Sequence, residues 1–221
     1  MIRTSIGLAC LLLGVAAHAE DPVPIDQEPQ HKLKFQNAHV RFFDVALPQG
    51  YRGVMHIHQY DGVFVNIEPS DTEAEDWGNP PQIRPPRKPG DTYFINYTVK
   101  PKAHKVSNVG TGVYHVTDTE ILSGCGSTSI PDDALAGPVI TENKRVRVTR
   151  VELAPGARTT LHGPCGMLVS VSGGRLRAVY PGNEALVTLA PAGFQWRDGA
   201  QPVVIENAGD SPFHGVDILV K

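Results

Sequence analysis

Residues 37–65 read NAHVRFFDVALPQGYRGVMHIHQYDGVFV, and much of this stretch returns 106 positions further along the chain. Residues 143–171 read NKRVRVTRVELAPGARTTLHGPCGMLVSV, which gives ten identities in 29 aligned positions. Unrelated sequences of ordinary composition share about two residues over such a length. A repeat of this length exceeds the roughly 20–50 residues of a solenoid repeat, so the pattern indicates a duplicated domain.

A second matching stretch lies near the end of each half, where the offset falls to 99. It aligns Asn108, Gly110, His115 and Asp118 with Asn207, Gly209, His214 and Asp217. The seven additional residues of the first half are predicted to lie in residues 68–90, which read EPSDTEAEDWGNPPQIRPPRKPG. We predict a surface loop there, with Trp77 packed on the barrel, because proline cannot donate to a strand ladder. The alternative is that this loop forms a lid over a functional site, since long loops are often functional.

Short runs rich in β-branched and aromatic residues, separated by glycine and proline, occupy both halves. In the first half they predict strands near residues 39–47, 53–58, 61–67, 91–99, 104–107 and 112–122. In the second half they predict strands near residues 146–153, 159–163, 166–172, 174–180, 184–189, 193–197, 202–206 and 212–220. No window of about twelve residues after residue 19 has the 3.6-residue period of an amphipathic helix. The pattern therefore predicts an all-β sandwich or barrel.

The first nineteen residues have the pattern of an export signal. Arg3 precedes an apolar run over residues 6–17, and Ala17, His18 and Ala19 form the small-x-small pattern that signal peptidase reads. An uncleaved anchor is the alternative, but the run is shorter than the roughly 20 residues that a spanning helix requires. We expect cleavage after Ala19 and a periplasmic or secreted protein without membrane association.

Composition and cysteine content narrow the class of protein further. With 41% hydrophobic and 19% charged residues, the chain can form a packed core and is not expected to be disordered. Its net charge of −3 provides no basic surface for nucleic acid. Signal cleavage leaves Cys125 and Cys165, which predict one disulfide in an oxidising compartment. The alternatives are two free buried thiols or a thiolate metal ligand near His162.

Three histidines of the first half are candidate metal ligands. His56 and His58 are two residues apart, so their side chains share one face of a strand, which in a barrel can be the interior. His104 lies on another predicted strand. Imidazoles that converge from two strands bind divalent transition metals such as Fe, Mn, Zn or Ni, although polar lining of an organic pocket is the alternative. Asp61 is the nearest carboxylate in sequence, and a bulge at Gly62 would be needed to turn it toward the histidines.

This histidine pattern resembles the cupin superfamily, and the duplicated chain is similar to a bicupin. The first cupin motif, G-x5-H-x-H-x3–4-E-x6-G, is matched in position by Gly50, His56 and His58. The second motif ends in P-x-G-x2-H-x3-N and is matched there by His104 and Asn108. The resemblance covers nearly all of residues 31–221 and implies two jelly-roll barrels, each of about six to eight strands with a ligand site inside.

The chain also departs from the cupin motifs. The glutamate of the first motif would fall at Gly62 or Val63 and is absent, with Asp61 one residue too early. Pro101 stands where the second motif has glycine. The resemblance therefore supplies three histidines but leaves the carboxylate ligand unassigned, with Asp61 as its candidate.

The second half lacks most of this histidine set. His162 aligns with His56, but Pro164 replaces the second histidine and Val203 replaces the third. One imidazole does not hold a transition metal tightly, so we predict a C-terminal barrel without a metal. Its expected roles are packing against the first barrel, shaping the mouth of that barrel, or binding an organic ligand. Cys165, three residues after His162, is an alternative replacement ligand.

These observations predict a signal peptide (1–19), an N-terminal cupin barrel (20–122), a linker (123–140) and a C-terminal cupin barrel (141–221). The predicted function is an exported bicupin with a mononuclear metal site and a small organic ligand in the N-terminal barrel. Oxygenase, isomerase or lyase chemistry is open to such a site. The alternative is a non-catalytic bicupin that binds a small ligand or serves a structural role without a metal. Substrate, metal and oligomeric state are left open.

Overall fold

The computed structural model of this protein describes residues 21–126, 130, 134, 136–199 and 201–221. The predicted signal peptide (1–19) lies outside these residues, so its cleavage stays a prediction. Within the described part of the chain, no helix is long and apolar enough to span a membrane. A short 3₁₀ turn at Ile25–Gln27 precedes the main body of strands.

The N-terminal half folds into two facing five-stranded sheets. Its strands are β1 (Val23–Pro24), β2 (His31–Gln36), β3 (Val40–Leu47), β4 (His56–His58), β5 (Asp61–Glu68), β6 (Thr72–Asp76), β7 (Gln82–Arg84), β8 (Thr92–Ile95), β9 (Lys102–Asn108) and β10 (Tyr114–Ile121). One sheet has the order β1-β4-β9-β6-β7 and the other the order β2-β3-β10-β5-β8. β1 pairs with β4 in parallel, and the other pairs are antiparallel. We call this half the N-terminal barrel.

The C-terminal half repeats this plan. Its strands are β11 (Val139–Glu142), β12 (Val146–Leu153), β13 (Arg158–Leu161), β14 (Cys165–Ser170), β15 (Gly174–Tyr180), β16 (Asn183–Leu189), β17 (Phe194–Asp198), β18 (Val203–Asn207) and β19 (Phe213–Val220). The sheet orders are β11-β12-β19-β14-β17 and β13-β18-β15-β16. This order repeats the strand order of the first half, so the predicted all-β fold of two tandem jelly-roll barrels is confirmed. We call this half the C-terminal barrel.

Four segments differ from the sequence-based prediction. Residues 68–90 were predicted as a loop, but they contain β6 and β7, and β6 pairs with β9 along its whole length. Thr72 and Ala74 are buried, while Glu73 and Glu75 alternate with them on the other face, so this acidic stretch behaves as an ordinary half-buried strand. Trp77, which was predicted to pack on the barrel, is 51% exposed. β1, β2 and β11 were also not predicted, and β11 begins inside the predicted linker (123–140).

The two barrels pack against each other through one sheet of each. Along β5, Val63, Val65 and Ile67 belong to the same buried cluster as residues of β14 and β19, whereas Phe64 faces the interior of its own barrel. The rings of Phe42 and Phe194 meet across this boundary with centroids 4.6 Å apart. Both faces of these strands are buried, which explains why they read as nearly continuous apolar runs.

The predicted disulfide is confirmed. Cys125 and Cys165 are bonded, and their Cα atoms are 6.1 Å apart. Cys165 begins β14 and Cys125 follows β10, so the bond ties the chain leaving the N-terminal barrel to a central strand of the C-terminal barrel. The alternatives of free thiols or of a thiolate ligand near His162 are not needed.

Candidate metal centre in the N-terminal barrel

The structure brings the three predicted histidines together between the two sheets. β4 carries His56 and His58 on one face, and its antiparallel partner β9 places His104 directly opposite His56. The Nε2 atoms of His56 and His58 are 3.2 Å apart, and those of His58 and His104 are 3.1 Å apart. All three side chains are buried. Three imidazoles therefore converge on one point of the barrel interior.

The protonation state of these imidazoles suits a metal. The Nδ1–H of His56 donates to the Val54 carbonyl at 2.9 Å, which leaves a lone pair on Nε2. Burial lowers the pKa of His56 to about 4, and it holds the pKa values of His58 and His104 well below their usual range. Neutral imidazoles bound to an ion at about 2.0–2.1 Å place neighbouring nitrogens about 3.0–3.4 Å apart. The His56–His58 and His58–His104 distances both lie in that range.

A buried carboxylate lies behind this cluster. Asp118, on β10, is fully buried, and its Oδ2 is 3.5 Å from Nδ1 of His58. Neither carboxylate oxygen of Asp118 has a hydrogen-bond partner among the described residues. Burial, with the nearby charge of Glu120, raises the pKa of Asp118 well above its usual range. Such a group fits the outer position of a carboxylate–histidine–metal arrangement, in which a bound cation compensates its charge.

In the C-terminal barrel, an arginine pairs with the carboxylate at the matching position. Asp217, which aligns with Asp118, forms a buried pair with Arg197, whose Nη2 is 3.0 Å from Oδ2. Arg197 is on β17 and lies opposite Gly166 of β14. In the N-terminal barrel, Ile95 of β8 lies opposite Gly62 of β5. The N-terminal barrel therefore retains the carboxylate but has no arginine at the corresponding position.

A fourth histidine, which sequence reasoning missed, borders the cluster. Nδ1 of His31 lies 2.7 Å from Oε2 of Glu28, so the Nε2 atom of His31 remains available to bind a metal. His31, His56 and His58 each have one ring nitrogen within 4.8 Å of those of the other two. Glu28 also accepts a hydrogen bond of 2.7 Å from the Tyr51 hydroxyl. Burial raises the pKa of Glu28, but the bonds from His31 and Tyr51 overcome this effect and lower it to about 2.

The duplication carried a signal for this group. At the 106-residue offset, His31 aligns with Gly137 and Tyr51 aligns with Ala157, as His58 aligns with Pro164. Polar residues whose counterparts in the second half are small or apolar therefore distinguish the barrel that contains the histidine cluster. His31 precedes the cupin motifs, so comparison with those motifs alone does not find it.

Asp61 is not brought to the histidines. Its Oδ1 accepts hydrogen bonds from the backbone N–H and hydroxyl of Thr98, and its Oδ2 is 3.3 Å from Nε of Arg145. The bulge expected at Gly62 does not form, because β5 keeps an unbroken register with β10 there. Asp61 consequently lies on the same face as Val63, toward the C-terminal barrel. A Cβ at Gly62 would lie 2.9 Å from Oδ1 of Asp118, so a larger side chain at this position would crowd that carboxylate.

Asn108 has a structural role. Its amide donates to the carbonyls of Leu47 and Gly112 at 2.8 and 2.7 Å. Asn207 of the C-terminal barrel makes the same pair of bonds with Leu153 and Ser211. Since the second barrel lacks the histidines but keeps these bonds, the asparagine closes a turn of the fold and does not belong to the metal cluster.

The histidines open onto a cavity of about 270 Å³. Its walls come from both sheets, and half of the lining residues are aromatic or aliphatic. The Tyr97 ring stacks on His58 at 4.7 Å between centroids. Residues 68–90 contribute Arg84, Pro85 and Arg87 to the cavity. The space beside His162 in the C-terminal barrel measures about 10 Å³, which is about enough for one water molecule.

Solved structures share this arrangement of barrels. AerE from Microcystis aeruginosa matches 90% of this chain and 98% of its own, with 13% identity and a TM-score of 0.61. A cupin 2 conserved barrel domain protein from Leptotrichia buccalis matches 85% of this chain and 86% of its own, with 11% identity and a TM-score of 0.52. Bacillus subtilis oxalate decarboxylase, described with Mn(II) centres, matches 83% and 69%, with 13% identity and a TM-score of 0.56.

No protein-family model matches the chain, and no curated protein matches it. The structural likenesses, at 11–14% identity, establish the fold. The chain is a two-barrel protein with the cupin fold.

Proposed function

We propose that this protein binds one divalent transition metal in the N-terminal barrel and acts there on a small organic molecule. His56, His58 and His104 hold the ion, and His31 supplies a fourth imidazole. The observation that carries the proposal is the meeting of three buried Nε2 atoms in front of Asp118, a carboxylate without a partner among the described residues. A cation at that point would be bound by the three Nε2 atoms and would compensate the charge of Asp118.

The bound metal would act as a Lewis acid that polarises an oxygen of the substrate, or would activate dioxygen if it is iron. Residues of the chain hold the ligand rings in position and line the cavity beside them. Val54 and Glu28 hold the rings of His56 and His31 through their Nδ1 atoms, as outer partners of metal ligands do. Tyr97 and Phe64 wall the cavity next to His58, which excludes water from that side.

Fe, Mn, Zn and Ni are all compatible with an imidazole set. The Mn(II) centres described for oxalate decarboxylase support including manganese among the metals to be tested. Oxygenase, isomerase and lyase reactions remain the candidate chemistries, and the substrate is a small organic molecule that fits a cavity of about 270 Å³.

We further propose that the protein is exported to the periplasm or secreted. The small-x-small pattern at Ala17–Ala19 supports export. The Cys125–Cys165 disulfide supports it independently, because such bonds persist in oxidising compartments.

The alternative function is a bicupin that binds a small ligand without a metal. It is favoured by one observation, the absence of the first-motif glutamate at Gly62 and Val63. In that case the imidazoles would line an organic pocket as hydrogen-bonding groups.

Metal analysis separates the two functions. The mature chain from Glu20 is produced with Mn, Fe, Zn or Ni supplementation and its metal content is measured by mass spectrometry. Three or four imidazole ligands predict about one ion per chain for the wild type. The triple variant His56→Ala, His58→Ala, His104→Ala should lose it, whereas the matched control His162→Ala should keep it. A wild-type value near zero under every supplement rejects the metal and supports the alternative.

A further inference from the structure

The mouth of the N-terminal cavity carries an excess of positive charge. Arg84, Arg87 and Lys102 all line it. The carboxylate of Asp76 lies near them and is shared between two of these cations. Its Oδ1 is 2.8 Å from Nζ of Lys102 and 3.9 Å from Nη2 of Arg84. Among the described residues, Arg87 forms no ion pair. The two arginines come from residues 68–90, the part of the chain that has extra length relative to the second half.

Aromatic packing positions Arg87 over the cavity wall. Its guanidinium carbon lies 4.5 Å from the centre of the Tyr93 ring, and that ring stacks on Phe64 at 5.1 Å. Phe64 in turn meets His58 edge-on at 5.9 Å. A continuous wall therefore leads from the cation at the mouth to the histidine cluster. Burial raises the pKa of Tyr114 on this wall, and the nearby charges of Arg87 and Arg84 oppose that rise.

Two carboxylates lie at the inner end of the cavity. Glu28 accepts hydrogen bonds from Tyr51 and His31, and Asp118 faces His58. A divalent ion held by imidazoles would have no carboxylate bound to it directly, while Asp118 and Glu28, behind the rings of His58 and His31, would offset part of its charge. An anionic group entering from the mouth would meet cations at both ends of the cavity, and electrostatic attraction would favour it over a neutral analogue.

We propose that the substrate is a small organic carboxylate whose anionic group is recognised by Arg87, with Arg84 and Lys102 adding to the field at the mouth. This inference rests on the proposed function, because it describes the substrate class of the same cavity. It also assigns a purpose to the last part of residues 68–90, where Arg84 and Arg87 form a cationic rim on the barrel that has the histidines.

Three acid–amide pairs of matched shape test the proposal: acetate with acetamide, benzoate with benzamide, and phenylacetate with phenylacetamide. Each is titrated into the metal-loaded mature protein by calorimetry at low and high salt. At least one acid should bind about tenfold or more tightly than its amide, because a charge-assisted hydrogen bond is lost in the amide. High salt should narrow this difference.

Variants then identify the cation responsible. Arg87→Gln should weaken binding of that acid about tenfold or more while leaving its amide and the metal content unchanged, and Arg87→Lys should weaken it less. Arg52→Gln is the control, because Arg52 forms an exposed ion pair with Glu73 away from the cavity lining. Equal binding of every acid and its amide, failure of all three acids to bind, or an unaltered affinity in Arg87→Gln overturns the proposal.

Metal content, measured separately, keeps the two proposals distinguishable. A protein that holds about one ion per chain but does not discriminate acids from amides refutes the carboxylate substrate and leaves the metal site standing. A protein that contains no metal but shows the Arg87-dependent preference refutes the metal site and retains anion recognition by this rim.

Discussion

Replacing Asp118 and Asp217 separately with asparagine should have opposite consequences, although the two residues occupy matched positions of a duplicated fold. Asp217 pairs with buried Arg197, so Asp217→Asn leaves a buried guanidinium without its charge partner. Breaking a buried pair in this way costs about 3–5 kcal/mol of unfolding free energy. For a chain of this size, that loss lowers the melting temperature by about 6–20 °C. Its metal content should not change, because the histidine cluster lies in the other barrel.

Asp118→Asn replaces a buried carboxyl group that has no arginine partner and whose pKa is raised by burial. In the metal-free protein, the free energy of unfolding should therefore stay the same or rise, because a neutral amide is less costly to bury than an uncompensated carboxylate. Metal affinity should fall about 10–100-fold, the usual effect of removing an outer partner of a metal-bound histidine. That range corresponds to about 1.4–2.7 kcal/mol of binding free energy.

The assay combines chelator-competition titration of each variant with denaturant unfolding of the metal-free forms. Wild type, Asp118→Asn and Asp217→Asn are compared under the same conditions, so each aspartate serves as the control for the other. If Asp118→Asn destabilises the metal-free fold as much as Asp217→Asn and leaves metal affinity unaltered, then Asp118 is a structural residue and the argument from its missing partner is wrong.

Three further expectations concern the disulfide and the groups around the cluster. The double variant Cys125→Ser, Cys165→Ser should lower the unfolding free energy by about 4 kcal/mol, from the entropy of opening a loop with a sequence separation of 40; an unchanged denaturant midpoint contradicts this. His31→Phe should retain the ion but weaken its binding about tenfold or more in chelator competition, and an unaltered affinity shows that His31 is not a ligand. The pKa of Glu28 falls from 4.5 to about 2 on folding, so its bonds stabilise the protein above pH 4.5 and this contribution is lost as the pH drops toward 2. Glu28→Gln should flatten that part of the stability curve of the metal-free protein, and an identical slope in both proteins refutes the assignment.

Some features of the fold could be predicted because they depend on short-range patterns. The alternation of side chains along a strand places His56 and His58 on one face whatever the rest of the chain does. Periodic apolar runs between glycine and proline predicted the strands around both motifs. β6 was missed because its residues TEAED are mostly charged, and only pairing with β9 makes them a strand.

The position of Asp61 illustrates why part of the site escaped prediction. Its distance along the chain from His58 indicated a ligand, but the side chain lies on the face of β5 that packs toward the other barrel, where Arg145 meets it. Which face of a strand points inward depends on how the sheets pack. That arrangement involves residues far apart in sequence, so it does not follow from the spacing within one motif.

The amino-acid order alone was enough to establish a duplicated all-β chain and to select three histidines in one half, since repetition and side-chain alternation are local properties. Tertiary packing decided what surrounds those histidines. It brings His31 from β2 and Asp118 from β10 to the cluster, turns Asp61 toward the C-terminal barrel, and sets Arg87 at the mouth of the cavity. These contacts join strands that are neighbours only after the two sheets have closed over one another, and so they depend on packing rather than on sequence spacing.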